Sequence, residues 1–157
     1  MAGGWNIAGY VRYSSGDALS FTASNNLSVL GYGAKFDSYV PGTAIFGTTD
    51  PRDFNPAVSR YFAPAGAFVV PSAYQFGNLA PVLDWVRGFW QKAESVSLGK
   101  SFPIKDRLRV QFRMDVNNPF NAVRWGDPNT SITSANYGAV TSAADPRKIQ
   151  LSLAVKF

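Results

Sequence analysis

The sequence contains no cysteine and no histidine. It therefore has no disulfide framework and no thiolate metal site, and it lacks the commonest general base and catalytic metal ligand. The remaining routes to catalysis, a Ser/Lys pair or paired carboxylates, have no supporting spacing. We therefore expect no enzymatic activity, no cofactor and no bound metal.

Charge and long apolar runs are also scarce. Charged residues make up only 16% of the chain, well below the roughly 25% of typical soluble domains. No stretch is long and apolar enough to predict a transmembrane helix. The opening residues, "MAGGWNIAGY", have neither the basic nor the apolar region of a signal peptide. The chain does have 14 glycines, 10 prolines and 15% aromatic residues, a composition that favours turns over long helices.

Four stretches alternate apolar and polar residues with the period of two that marks a strand with two different faces. The predicted strands cover approximately residues 5–13, 94–102, 107–117 and 147–157. The third stretch shows the clearest alternation. Its apolar positions, which we predict to face lipid, are Leu108, Val110, Phe112, Met114 and Val116. Its polar positions, which we predict to face a barrel lumen, are Arg107, Arg109, Gln111, Arg113 and Asp115.

The connections between these strands are very unequal in length. A short turn at 103–106 makes the second and third strands a hairpin, whereas residues 14–93 and 118–146 form two long loops. In an antiparallel order both long loops fall at one end, which is the layout of an outer-membrane β-barrel with periplasmic turns and extracellular loops. Eleven residues tilted by about 40° span about 28 Å, close to the apolar band of such barrels.

A soluble all-β ligand-binding module, with the long loops contacting the ligand, is the alternative. Amphipathic strands with one wet face also occur in soluble antiparallel sheets. The two hypotheses differ in whether a protein layer covers the face that carries Leu108, Val110 and Phe112. Unequal loops and a polar face bearing several arginines favour the membrane interpretation.

Most of the chain resembles the C-terminal end of TonB-dependent outer-membrane receptors, especially the Oar-like group that carries a carboxypeptidase-regulatory-like domain. Residues 97–157 carry the strongest resemblance. The matching pieces are the lysine-aromatic-turn run at Lys100–Ile104, the run Arg113–Asn121, "GDPNTSITSANYG" (126–138), "ADPRKIQ" (144–150) and Phe157. Residues 3–21 resemble the preceding strand and its loop entry in the same group.

The resemblance implies a transport role without catalysis, in the outer membrane of a Gram-negative-type bacterium. Such receptors resemble barrels of about 22 strands preceded by a plug domain. Four strands are too few to close a barrel, so we expect an incomplete, C-terminal piece, with Met1 as an internal start or fragment boundary. The implied cargo is a large or scarce solute such as an oligosaccharide or a peptide. The implied partners are outer-membrane lipid, the remainder of the barrel, the plug and the barrel-assembly machinery, with TonB reached only through an N-terminal part.

Several residue groups have more than one interpretation. The resemblance implies that the last strand carries the assembly signal, and its apolar residues could equally be ordinary lipid-facing positions; both can hold at once. These residues are Ile149, Leu151, Leu153, Val155 and Phe157. The arginines of the third strand could line the lumen and attract anions, although a plain solvated polar face is the favoured interpretation.

The long loops offer aromatic and acidic residues. Trp85, Trp90 and Trp125 could stack on a sugar or peptide, and Trp90 and Trp125 could equally belong to an interfacial aromatic girdle. The aspartates of the loops fit no known calcium-loop spacing, and Asp-Pro pairs are ordinary turn formers. These aspartates are Asp50, Asp53, Asp127 and Asp145. No aromatic residues are interleaved with the third-strand arginines on their own face, so we expect no nucleic-acid partner.

Overall fold

Alternating side chains on four long stretches produce one antiparallel sheet. The computed structural model describes residues 3–23, 37–63, 66–72, 75–105 and 108–157. Its long strands are β1 (Trp5–Ser14), β6 (Gln91–Lys105), β7 (Leu108–Asn117) and β8 (Lys148–Lys156). They hydrogen-bond in the order β1-β6-β7-β8, with every pair antiparallel. This confirms the predicted all-β class and its four antiparallel strands.

β6 is longer than the alternation predicted. It starts at Gln91, where residues 91–93 pair with the end of β1, and it continues through Pro103 to Lys105. Pro103 can lie in the strand because β1 pairs only as far as Lys100, so the missing proline N–H lies on an edge. A register shift follows between Pro103 and Lys105, a bulge of the kind that tolerates proline. Residues 103–105 of the predicted turn at 103–106 therefore belong to β6, and residues 106 and 107, including the predicted polar position Arg107, lie outside the described residues.

The chain divides into two units. The sheet unit comprises residues 1–14, 91–123 and 145–157, and the loop unit comprises residues 15–90 and 124–144. The loop unit contains four short strands: β2 (Ala18–Leu19), β3 (Ser38–Tyr39), β4 (Phe68–Val69) and β5 (Leu83–Arg87). β2 pairs with β5 and β3 pairs with β4. Among the described residues no helix is long and apolar enough to cross a membrane.

The buried core lies in the loop unit and is mostly aromatic. Phe21 stacks on Phe68 with 3.9 Å between ring centroids, and Phe62 stacks on Tyr137 at 5.2 Å. Edge-to-face contacts extend the cluster, with Tyr61 and Phe89 at 4.6 Å. Such ring pairs add to the free energy gained from burial. The long loops are thus packed on their own core.

Candidate membrane and lumen faces of the sheet

The strand register gathers the apolar side chains of all four strands on one side, here called the apolar face. Direct cross-strand partners share a face, and Met114 pairs with Leu98 on β6 and with Leu151 on β8. The apolar face carries Trp5, Ile7, Val11, Tyr13, Val96, Leu98, Phe102, Leu108, Val110, Phe112, Met114, Val116, Ile149, Leu151, Leu153 and Val155. Every residue of β1 and β8 is exposed, and Leu153 retains 68% of its accessible surface.

The border of the apolar face is shifted along the strands. At the end that carries the long loops, the apolar stripe of β1 ends at Tyr13, whereas that of β8 begins at Ile149. Through Val96 and Val116, Ile149 lies opposite Gly9, four residues before Tyr13. All of this shift falls between β1 and β6, because Val96, Val116 and Ile149 are direct cross-strand partners.

Three charged side chains interrupt the apolar face of β6, a feature that the alternation did not single out. Lys92 and Glu94 lie at the long-loop end, where Glu94 is buried and hydrogen-bonds the Tyr13 side chain. Lys100 lies beside Trp5, near the opposite end of the β1 stripe. The sequence could have indicated these three residues, because each is a charged residue at a position where the alternation predicts an apolar one.

The opposite side, here called the polar face, forms its own hydrogen-bond network. The Ser97 hydroxyl donates to Asp115. Arg113 Nε donates to Asp115 Oδ1 at 3.0 Å and forms an ion pair with Oδ2 at 2.9 Å. Ser95 Oγ donates to Asn117 Oδ1 at 3.0 Å. Such pairing satisfies these polar groups within the sheet itself.

The polar face is also uneven in height. β6 contributes small residues, among them Ser95, Ser97 and Gly99, while neighbouring β7 contributes long polar side chains. Arg109, Gln111, Arg113 and Asp115 all lie on this face of β7. The structure thus places four of the five predicted polar positions together; Arg107 is outside the described residues.

Two asparagines hold the two ends of the second long loop, where it leaves β7 and where it approaches β8. Asn118 and Asn121 both have positive φ angles, 52° and 50°, a conformation that asparagine tolerates better than most residues. Buried Asn118 holds Ala122 by two 3.0 Å bonds, accepting from its N–H and donating to its carbonyl. The Asn121 side chain accepts from the Arg147 N–H at 3.1 Å. The pair therefore fastens the end of β7 to the approach to β8.

Side-chain bonds also brace the loop unit. Trp125 Nε1 donates to the Pro51 carbonyl at 3.0 Å, and the Tyr61 hydroxyl donates to the Arg87 carbonyl at 2.6 Å. Trp85 is about half exposed and meets Tyr39 edge to face at 5.5 Å. Trp85 is thus available on the surface, whereas Trp125 packs against the core.

Two carboxyl groups in the loop unit have raised pKa values. Asp37 is only 1% exposed, and desolvation raises its pKa to about 6. Desolvation, with a smaller contribution from Asp17, raises the pKa of Asp127. Within the described part of the chain, neither carboxyl belongs to a group of three or more potential metal ligands.

A sheet of long antiparallel strands with an apolar face and a hydrogen-bonded polar face is the architecture of an outer-membrane β-barrel wall. Comparison with known families agrees. A family model described as an outer membrane beta barrel domain matches residues 1–150. The chain belongs to this family and is an outer-membrane protein. No curated protein and no solved structure matches it.

Proposed function

We propose that this chain forms part of the barrel wall of a TonB-dependent receptor that takes up a large or scarce solute, such as an oligosaccharide or a peptide. The observation that carries the proposal is the polar face, where Arg113, Asp115 and Ser97 are mutually hydrogen-bonded. Long charged side chains suit a wide, water-filled or plugged lumen better than a narrow barrel filled with side chains. The resemblance of residues 97–157 to these receptors supports the same assignment.

In this arrangement the apolar face contacts lipid and the polar face lines the lumen. The long loops then lie at the outer surface, where the solute arrives, and the short turn lies in the periplasm. The aromatic core of the loop unit supports the proposal, because a loop packed on its own core can present exposed groups such as Trp85 in fixed positions. TonB itself would act through an N-terminal plug-bearing part of the receptor.

β8 is proposed to serve in barrel assembly as well. Among the described residues it pairs only with β7, so its other edge offers free backbone groups. A strand edge of this kind is a template for adding another strand. Its apolar residues Ile149, Leu151, Leu153 and Val155, together with Phe157, are the proposed recognition stripe.

Energised uptake can be tested by growth. Cells lacking this gene, cells lacking TonB and the parent strain would be grown on low concentrations of defined oligosaccharides or of a peptide digest. We expect both mutants to fail on the same solute and the restored gene to rescue only the first. The proposal would be contradicted if the TonB mutant grew on a solute on which the gene-deletion mutant cannot grow. That result would indicate a passive pore.

A further inference from the structure

The polar face carries more cations than carboxylates. Along the described strands its only acidic residue is Asp115, and its basic residues are Arg12, Arg109, Arg113, Lys148 and Lys156. Arg113 forms its ion pair with Asp115, and Lys148 Nζ lies 2.7 Å from Asp145 Oδ2. Arg12 lies opposite Ala93, so no second cation faces it across the strands. Arg109 and Lys156 remain, and they lie together.

Arg109 and Lys156 are direct cross-strand partners at the short-turn end of β7 and β8. Side chains of such partners start about 5 Å apart on the same face, and like charges there are destabilising. Among the described strand pairs, this is the only one in which two side chains of the same charge face each other. Neither side chain forms a salt bridge within the described residues. The pair therefore favours a counter-charge from elsewhere.

The side chains around this pair supply no acid. The neighbouring positions of the polar face are Ser101, Pro103, Gln111 and Ala154. Arg109 and Lys156 are exposed on the sheet, where water and salt screen their repulsion. In a lumen occupied by protein the screening weakens and the repulsion grows. A resident counter-charge therefore fits the pair better than a solute that only passes through.

We propose that Arg109 and Lys156 together bind one carboxylate of a receptor segment that occupies the lumen near the short-turn end. The inference rests on the proposed function, in which the polar face lines a lumen that holds other parts of the receptor. A carboxylate has two acceptor oxygens, so it can accept from the guanidinium and from the ammonium at the same time. One acidic side chain thus removes the repulsion between the two strands and holds the segment against the barrel wall.

The test is cross-linking of the complete receptor in outer membranes with a water-soluble carbodiimide. This reagent joins an amine to a carboxylate that it contacts, and the reagent takes up the water that is lost. Digestion and mass spectrometry then identify both linked residues. Lys148 and Asp145 are the internal control, because their 2.7 Å ion pair should be joined in every sample.

We expect Lys156 to be joined to an Asp or Glu that lies outside residues 1–157 of the receptor. Arg109→Gln should lower the yield of this link about threefold, because the carboxylate loses one of its two cations. Arg109→Lys should keep the yield. The matched control is Arg12→Gln, which removes a cation from the same face away from the pair and should leave the yield unchanged.

The proposal is refuted if the control link between Lys148 and Asp145 forms while Lys156 stays unlinked. It is also refuted if Lys156 is joined only to an acid within residues 1–157, such as Asp106, or if Arg109→Gln leaves the yield unchanged. If Arg109→Gln fails to assemble, the parent protein still decides, because its link identifies the partner carboxylate directly. The growth experiment decides the uptake function separately. A passive pore would refute that function and would leave a link from Lys156 to a lumen segment in place.

Discussion

Leu153→Arg should destabilise the protein far more than Ala154→Arg, although the two residues are neighbours on β8. Leu153 pairs with Phe112 on the apolar face, and Ala154 pairs with Gln111 on the polar face. An arginine in the middle of a lipid-facing band costs about 2–4 kcal/mol. Leu153 is 68% exposed in the isolated sheet, so losing its contact with lipid adds about 1–2 kcal/mol. We expect a total loss of about 3–6 kcal/mol.

Ala154→Arg is the matched control, because it adds the same charge one residue away. An arginine on a hydrated face should change the free energy of unfolding by about 0.5 kcal/mol or less. The measurement is urea unfolding of both variants and the parent protein, folded into phosphatidylcholine vesicles. Equal losses in the two variants, or a larger loss for Ala154→Arg, would refute the assignment of the faces.

Further variants test the loops. Asn121→Ala should cost about 1–2 kcal/mol, because it removes the acceptor for the Arg147 N–H and leaves alanine at positive φ; faster hydrogen exchange of the Arg147 amide would report it. Asp37→Asn should stabilise the loop unit at pH 7. Because the pKa is raised to about 6, the Asp37 carboxyl binds its proton more tightly in the native state than in the unfolded state. The free energy of unfolding of the parent protein therefore falls as the pH rises from about 4 to 6. An Asp37→Asn variant whose free energy of unfolding keeps this pH dependence would contradict the assignment. Trp125→Phe should cost about 1 kcal/mol in thermal unfolding, because it loses the bond to Pro51 and keeps a ring in the core.

The alternation of apolar and polar residues predicted the four long strands, because a strand with one apolar and one polar face alternates these residue types along the sequence. The ends of β6 were less visible. Residues 91–93, "QKA", do not alternate, and they are held in the strand by pairing with Arg12, Tyr13 and Ser14. Pro103 looked like a turn residue and is tolerated because that part of β6 lies beyond the end of β1.

The loop core could not be predicted from local patterns. Its rings come from widely separated positions, such as Phe21, Phe68 and Tyr137, and no period connects them. The abundance of aromatic residues indicated that something would be buried, without indicating which rings would meet. By contrast, Asn118 and Asn121 carried a usable signal, because asparagine is enriched at left-handed backbone positions and in turns.

The open sheet has two separate requirements for partners. Its apolar face needs a nonpolar environment, and the outer edges of β1 and β8, which pair on one side only among the described residues, need further strands. Hydrocarbon can satisfy the face and cannot hydrogen-bond the edges. Side chains of β8 project perpendicular to the sheet, whereas its backbone N–H and C=O groups lie within the sheet plane. The same strand can therefore contact lipid through Leu151 and Leu153 while its backbone pairs with a neighbouring strand, so the lipid-facing and assembly roles proposed for β8 do not compete.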